Sequence, residues 1–440
     1  MARNIQIKRL RGIHLSHRKY TSEHTTETMP IPAKVSIPML QHMGAPCTPM
    51  VKVGDHVKVG QKIGESENSF SVPIHSSVSG TVTEIVDRMD VGGRLIKNIV
   101  IETDGEQEVS DEVVPPVVNS KEDFIKAAYE SGLAGLGGAG FPGHIKLGYK
   151  DIDRVTKLVV NAAECEPYIT SDYRECIESI DDVIDGVKAV KKWLDIKDVY
   201  IGVEDNKPIV IDNLTKVLEN DPDINVVELE SRYPQGAEKV IIYACTGIVV
   251  EDGKLPADCG VLVMNVSSIG FLSRYLKTGM PLVRKRLTVD GGGVYNPKNV
   301  FVPIGTSISD LLDFCGGVKD SCRKILMGGP MMGITVYDIN MPVIKNNNAI
   351  LALSEDQVAE TEESACIRCG RCIYACPMRL MPRALEMAYD SRNVEALKKG
   401  SLNLCMNCGC CTFVCPAKRN LAQKNQLAKA FVRQADQKKK

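Results

Sequence analysis

The sequence predicts a multidomain chain in which all-β modules and an α/β layer lead into a helical, cysteine-rich C-terminal segment. Three observations carry that prediction. Residues up to about 110 show short strands broken by Gly and Pro, with no helical period; from Ser120 helices and strands alternate; and between Cys366 and Pro416 the run Cys-x₂-Cys-x₂-Cys-x₃-Cys-Pro occurs twice. A length of 440 residues suits about three domains of ordinary size, each with room for a buried core.

Bulk composition excludes several classes. Apolar residues make up 44%, charged residues 25%, and the net charge is −1, which gives no basic excess for a nucleic-acid partner. The N-terminus is basic but lacks an apolar core, so no export signal is expected. The longest apolar stretches, Val240–Val250 and Val261–Leu272, fall short of the ~20 residues that cross a bilayer. The expectation is a cytoplasmic chain that spans no membrane itself, with docking to a membrane partner left open. In a reducing compartment, 16 cysteines fit metal ligation better than cross-links.

The first module, residues 1–115, reads as a β barrel. Pro49–Gly64 and Ser79–Ile85 hold strands between Gly turns. Its Gly-Asp-x-Val-x-x-Gly-Gln and Ser-Gly-x-Val pieces resemble the lipoyl or biotinyl carrier barrel. A carrier needs a lysine at the hairpin tip, yet Gly64 to Gly80 contains none, which leaves a structural or docking barrel.

Residues 116–255 read as an α/β domain. Ser120 and Asp123 predict a capping box opening a helix through Tyr129. A glycine loop follows, Gly132 to Gly143, then the apolar strand Lys157–Glu164, a helix near Ile180–Leu194, strands Val199–Val203 and Ile224–Leu229, and a helix between them through Leu218. Such alternation predicts a largely parallel sheet with ligands at the carboxyl ends of its strands. Residues 256–350 turn back to hairpins around Arg286–Gly293, with one helix at Ser307–Phe314. The remainder, 351–440, is helical between the cysteine runs, notably Arg383–Tyr389 and Val394–Lys399. From Lys418 the tail holds eight basic residues against one acid, Asp436, and reads as a solvated end, with an acidic partner or lipid headgroups as the minor alternative.

The cysteine spacing is that of [4Fe–4S] ligands, and in two-cluster domains the fourth cysteine of each run serves the other cluster. Cys366, Cys369, Cys372 and Cys415 therefore form one set, and Cys405, Cys408, Cys411 and Cys376 the second. Structural zinc usually draws on separated Cys-x₂-Cys pairs instead. Cys410 is spare and is expected to pack beside a cluster.

Gly135-Leu-Gly-Gly-Ala-Gly140 satisfies G-x-G-x-x-G, but a helix rather than a strand precedes it, which rejects the ordinary dinucleotide fold. Consecutive glycines still let backbone amides approach a phosphate, with Lys146 to neutralise it; a plain turn is the alternative. Asn161-Ala-Ala-Glu-Cys-Glu-Pro167 ends the apolar strand, and its two carboxylates suit a ligand's amide or ribose donors better than a core. Cys165 between them reads as packing, since no histidine is placed to activate it.

Together these segments resemble the flavin-binding, NADH-oxidising subunit of respiratory complex I. The whole chain is more similar to the C subunits of Rnf-type ion-translocating ferredoxin:NAD⁺ oxidoreductases. That resemblance takes in Gly12-Ile-His14, Gln41-His-Met-Gly-Ala-Pro46, the barrel, the glycine loop, a β-grasp (SLBB) segment at Thr288–Pro297 and the paired cysteine motifs, in the family's order. It implies a lipoyl-like barrel-sandwich, an α/β FMN/NAD domain of complex I type, a β-grasp domain and a helical two-cluster ferredoxin domain. It implies FMN held by Gly135, Gly137, Gly138 and Lys146 on the phosphate side, with Asn161 and Glu164 near the ring system. Tyr233, Glu238, Asn265 and Ser268 belong to two further flavin-contacting stretches. Phe141 and Glu166 would face the nicotinamide. Ala163 stands where complex I proteins carry an acidic residue, and two clusters stand where that subunit has one.

The implied activity passes electrons between ferredoxin-fed clusters and NAD⁺ through FMN, on the cytoplasmic face of a membrane complex whose other subunits move ions. A soluble cobalamin-reductase-type flavoprotein places its barrel after the clusters, the reverse of the order here. A flavin-free relay scaffold is the other alternative.

Overall fold

The computed structural model describes residues 11–358 and 362–438; the basic stretch Met1–Leu10 lies outside them. Strands β1 (Glu27–Thr28), β2 (Lys34–Pro38), β3 (Thr48–Pro49), β4 (His56–Val57), β5 (Lys62–Glu65), β6 (Ile74–His75), β7 (Gly80–Met89) and β8 (Leu95–Thr103) come first. Two small sheets, β2-β8-β7-β4 and β3-β5-β6, share a core of Val35, Ile37, Ile63, Ile74, Val82, Ile99 and Ile101. At Gly80 a Cβ would stand 2.1 Å from the Glu102 carbonyl oxygen, so the strands meet this closely only because the residue is glycine. The lysine-free tip between β5 and β6 is a docking surface. Phe70 meets Phe141 edge-on with ring centroids 5.4 Å apart, and the Ser69 carbonyl lies 3.2 Å from Nε2 of His144.

The α/β layer contains α1 (Lys121–Glu130), α2 (Gly143–Leu147), β9 (Lys157–Ala162), α3 (Ser171–Glu178), α4 (Ile180–Trp193), β10 (Asp198–Glu204), α5 (Pro208–Val217), β11 (Ile224–Leu229), α6 (Glu238–Thr246), β12 (Val261–Asn265) and α7 (Val266–Thr278). Ser120 caps α1 as expected, accepting from the Asp123 N–H at 3.0 Å; the Asp123 carboxylate, however, turns to the Asn119 N–H rather than closing the box on Ser120. The sheet runs β11-β10-β9-β12 with every pairing parallel. Both faces are covered, which is why the middle of β9 is apolar: Leu158 and Val160 enter one core, Val159 the other. The chain proceeds from β9 to β10 to β11 on one side, then returns to place β12 on the other. That reversal opens a crevice at the carboxyl ends of β9 and β12, where Asn161 and Asn265 are register partners. The expected domain limit at residue 255 is therefore corrected: β12 and α7 complete this layer, because β9 needs a hydrogen-bonded neighbour on its second edge.

The third layer holds β13 (Arg284–Asp290), β14 (Lys298–Pro303), α8 (Ile308–Phe314), β15 (Cys322–Met327), β16 (Ile334–Thr335) and β17 (Ala349–Ser354), with sheet order β1-β14-β13-β17-β15-β16. Fully buried β17 lies between β13 and β15, so the expected limit at 350 cuts a central strand and is likewise corrected. Residues 11–29 also leave the barrel. Ile13 bridges to Tyr233, and β1 adds a parallel edge to β14, since the free edges of the later layers offer the backbone partners it needs.

Helices α9 (Arg371–Ala375), α10 (Pro382–Asp390), α11 (Val394–Lys399), α12 (Cys410–Phe413) and α13 (Leu421–Gln437) frame the cysteine runs. The basic tail is not merely solvated. From Leu421 to Gln437 it is a 17-residue helix packed on Leu385 and Leu397 through Ala428 and Val432. Fully buried Glu386 draws in Arg419 at 2.5 Å, Lys424 at 3.0 Å and Arg383. Burial opposes its charge, but these three cations win and hold its carboxyl down at about 2. Among the described residues no helix is long and apolar enough to cross a membrane.

Candidate functional site

The glycine loop is shaped by its own hydrogen bonds. The Gly135 N–H donates to the Phe141 carbonyl at 2.9 Å, Gly143 to Leu133 at 2.9 Å, and the Leu136 N–H to Ser268 Oγ at 2.9 Å. Gly138 and Gly140 take φ of 110° and 63°, which side chains resist, and Gly137 lies so close to Asn265 that a Cβ would stand 3.1 Å from its amide nitrogen. Asn265 in turn caps α7 through the Ser268 N–H at 3.2 Å and donates to buried Asp172 at 2.7 Å.

A cavity of about 540 Å³ opens at the crevice, and all twelve predicted flavin and nicotinamide residues line it: Gly135, Gly137, Gly138, Phe141, Lys146, Asn161, Glu164, Glu166, Tyr233, Glu238, Asn265 and Ser268. Residues far apart in sequence meet because the loop, the ends of β9 and β12, and the start of α6 converge there. Lys146 Nζ is held at 2.7 Å by Glu238 and at 3.1 Å by the Val263 carbonyl. The Asn161 side chain donates to the Gly236 carbonyl at 2.8 Å.

The carboxylates differ from expectation. Both are engaged by the protein itself. Glu164, with φ of 48°, accepts from the Asp172 and Tyr173 N–H groups at 2.7 and 3.2 Å and so satisfies the first turn of α3. Burial pushes its carboxyl up to about 7, against the pull of Lys19. Glu166 Oε2 accepts from the Met331 N–H at 3.0 Å, and burial likewise raises it to about 7. The Cys165 thiol is pushed up to about 12 by burial, as suits a packing residue rather than a nucleophile.

Several residues escaped the sequence reading. Lys19 Nζ donates to the carbonyls of Glu164, Glu166 and Ile169 at 2.8, 2.9 and 2.5 Å, and buried Lys207 donates to that of Ala163 at 2.6 Å, so two lysines fix the 163–169 backbone. The turn Gly328-Gly-Pro-Met-Met-Gly333 and the run Asn346-Asn-Asn348 form the far wall. Gly-Pro and Asn-rich content of this kind signals a turn and nothing more. Asn346 donates to the Gly138 carbonyl at 2.8 Å while its buried Oδ1 has no partner among the described residues. That orphaned acceptor, the glycine cradle and the Lys146 cation fit a ligand such as FMN, with phosphate, polyol and ring amide groups.

Among the described residues no three of the cysteines stand close enough together to hold a metal ion as they are placed. Cys376 lines one small cavity with Cys405, Cys408 and Cys411. Burial raises the Cys372 thiol, with the neighbouring Cys415 and Cys369 adding to it, and Cys369 itself is exposed. Cys410 is fully buried beside Tyr233, its thiol 3.8 Å from the Tyr233 carbonyl. The two sites share a wall: Met406 lines both cavities, and the Tyr233 hydroxyl donates to the Cys408 carbonyl at 2.7 Å.

Fold and site together define a redox protein in which an α/β flavin domain abuts a ferredoxin-like domain. The chain matches the Nuo51 FMN-binding domain over residues 128–273, the RnfC barrel sandwich hybrid domain over 7–106, the SLBB domain over 286–335 and a 4Fe-4S dicluster domain over 365–418. It is 43% identical over 381 residues (86% of this chain, 83% of the other) to the C subunit of the proton-translocating ferredoxin:NAD(+) oxidoreductase complex of Clostridium ljungdahlii. Identity to the Na(+)-translocating counterpart of Acetobacterium woodii is 40%, covering 87% of each chain. To the C subunit of the ion-translocating oxidoreductase complex of Rhodobacter capsulatus it is 35%, covering 89% of this chain and 76% of that one. The fold is also like that of an NAD+-reducing [NiFe]-hydrogenase chain in the H2-reduced state, at a TM-score of 0.50 and 15% identity, over 71% of this chain and 63% of that one. The chain belongs to the C-subunit family of Rnf-type ion-translocating ferredoxin:NAD⁺ oxidoreductase complexes.

Proposed function

We propose that this chain is the NAD-facing redox subunit of a membrane-bound, ion-translocating complex, lying peripherally on the cytoplasmic side and exchanging electrons between ferredoxin-fed [4Fe–4S] clusters and NAD⁺. FMN, when bound, supplies the conversion between the single electrons of the clusters and the hydride of the nicotinamide. The shared wall of Tyr233 and Met406 between the cysteine cavity and the glycine-lined cavity carries the reading. On it, Gly135, Gly137 and Gly138 present backbone to the phosphate, and Lys146 neutralises it. Asn161, Glu164, Tyr233, Glu238, Asn265 and Ser268 hold the remainder of the flavin site. Phe141 and Glu166 orient the nicotinamide. Cys405, Cys408, Cys411 and Cys376 hold the cluster nearer the flavin, and Cys366, Cys369, Cys372 and Cys415 the other, nearer solvent and the electron donor. Lys19 and Lys207 keep the 163–169 loop fixed, so that Glu164 and Glu166 keep their positions.

The test is anaerobic purification, with iron and FMN counted and NADH-dependent reduction of an artificial one-electron acceptor measured. Full iron and flavin with turnover is the expected result. An iron–sulfur spectrum without flavin would instead mark a relay scaffold.

A further inference from the structure

We propose that the Gly328–Gly333 turn of the β-grasp layer is a positioning element of the nicotinamide subsite, setting where the Glu166 carboxylate points. The inference rests on the reading that Glu166 meets the pyridine nucleotide. Three observations carry it. First, the turn forms the far wall of the flavin cavity, through Met327, Gly328, Gly329, Met332, Gly333 and Ile334. Second, the Met331 N–H donates to Glu166 Oε2 at 3.0 Å, and the Met332 N–H also favours the ionised carboxylate, so two amides of the turn aim it. Third, Gly329 presses on the same side chain: a Cβ there would stand 2.4 Å from Oε2 and 2.5 Å from Cδ of Glu166. Its backbone is not in the left-handed region, so the absence of a side chain serves close approach rather than conformation.

The turn reaches beyond Glu166. Met331 packs among Tyr233, Cys408, Cys410 and Cys165, and its carbonyl would lie 3.2 Å from a Cβ at Gly409, inside the second cysteine run. One segment of the β-grasp layer thus touches the nicotinamide-side carboxylate and the cysteine turn together. On its own side β15 pairs with β17 as far as Met327, the Gly328 N–H donates to the Ala349 carbonyl at 2.8 Å, and β16 pairs at Leu326 with Thr335 and Met327 with Ile334. Met332 and Ile334, 54% and 50% exposed, stand at the cavity mouth. The turn is thus anchored in its own sheet and delivered against Glu166 and the cysteine domain.

The test is equilibrium titration of NAD⁺ into the oxidised, full-length protein carrying FMN and both clusters, followed by calorimetry. Gly329→Ala and Glu166→Ala are each expected to weaken NAD⁺ binding about tenfold, the usual worth of one hydrogen bond to a charged group. Iron and FMN content should stay at the wild-type level, and Gly329→Ala should add nothing in the Glu166→Ala background, since both act through one carboxylate. Wild-type affinity in Gly329→Ala, beside a weakened Glu166→Ala, overturns the role of the turn and leaves that of Glu166 standing. Fully additive losses overturn it equally. Wild-type affinity in Glu166→Ala sinks the underlying reading itself. Should Gly329→Ala purify short of FMN, Met331→Pro decides by the same criterion, because it removes the N–H donor without adding a Cβ against Glu166.

Discussion

Replacing Lys146 separates affinity from stability. Its Nζ touches Glu238 at 2.7 Å and the Val263 carbonyl at 3.1 Å, and the two side chains of the pair are 28% and 43% exposed. A pair this open to solvent is worth at most about 1 kcal/mol to the fold. A charge-assisted hydrogen bond to a phosphate contributes about 1.5–3 kcal/mol, or roughly 10–150-fold in affinity. Lys146→Ala should therefore weaken FMN binding by that factor while the unfolding midpoint moves little. Removing the cation also strands the Glu238 carboxylate beside the phosphate, so Lys146→Ala/Glu238→Gln should bind FMN more tightly than Lys146→Ala alone. The assay is quenching of free FMN fluorescence on titration with deflavinated, cluster-loaded protein, repeated at two ionic strengths. Binding within about twofold of wild type in the single variant, or a double variant no tighter than the single, would refute the phosphate role.

Three other outcomes follow from the same geometry. Cys369→Ala should halve the iron content and abolish NAD⁺ reduction while FMN stays bound; unchanged iron would break the ligand assignment. Glu386→Ala leaves Arg383, Arg419 and Lys424 facing one another and should destabilise the cysteine domain by about 3–5 kcal/mol, read as a lower unfolding midpoint and faster iron loss. Because the folded carboxyl titrates at about 2, below its ordinary value near 4.5, the stability it confers is present above pH 4.5 and disappears as pH falls toward 2; Glu386→Gln should flatten that acid limb. Glu166, raised by burial to about 7, should lose its acceptor role as pH drops through neutrality, so NAD⁺ affinity falls below pH 7 in wild type and the dependence vanishes in Glu166→Gln.

Local chemistry made much of this protein readable in one dimension. Thiolate spacing in Cys366–Cys376 and Cys405–Cys415 dictates how a short chain can wrap a cubane, and in the fold Cys376 lines one small cavity with Cys405, Cys408 and Cys411. Strand β9 was legible because a strand covered on both faces carries an apolar run, here Leu158 to Val160. The glycine run from 135 to 140 marked a backbone bend, and in the fold Gly138 and Gly140 take positive φ.

Long-range pairing decided the remainder. Nothing local marks Val261–Asn265 as the fourth strand of the parallel sheet or Ala349–Ser354 as the centre of another; each is placed by the edge it completes. In the sequence Glu164 and Glu166 read as acceptors for a ligand, but only the folded chain brings the α3 amides and the Met331 N–H against them, and only there does Lys19, from 145 residues away, reach the same backbone. The basic tail, which charge alone marks as solvated, is a packed helix because Glu386 is buried where Arg419 and Lys424 can reach it. Spacing along the chain fixes which groups a neighbour can present within a few ångströms, whereas hydrogen-bond and charge partners hundreds of positions apart are chosen by packing, which no local pattern encodes.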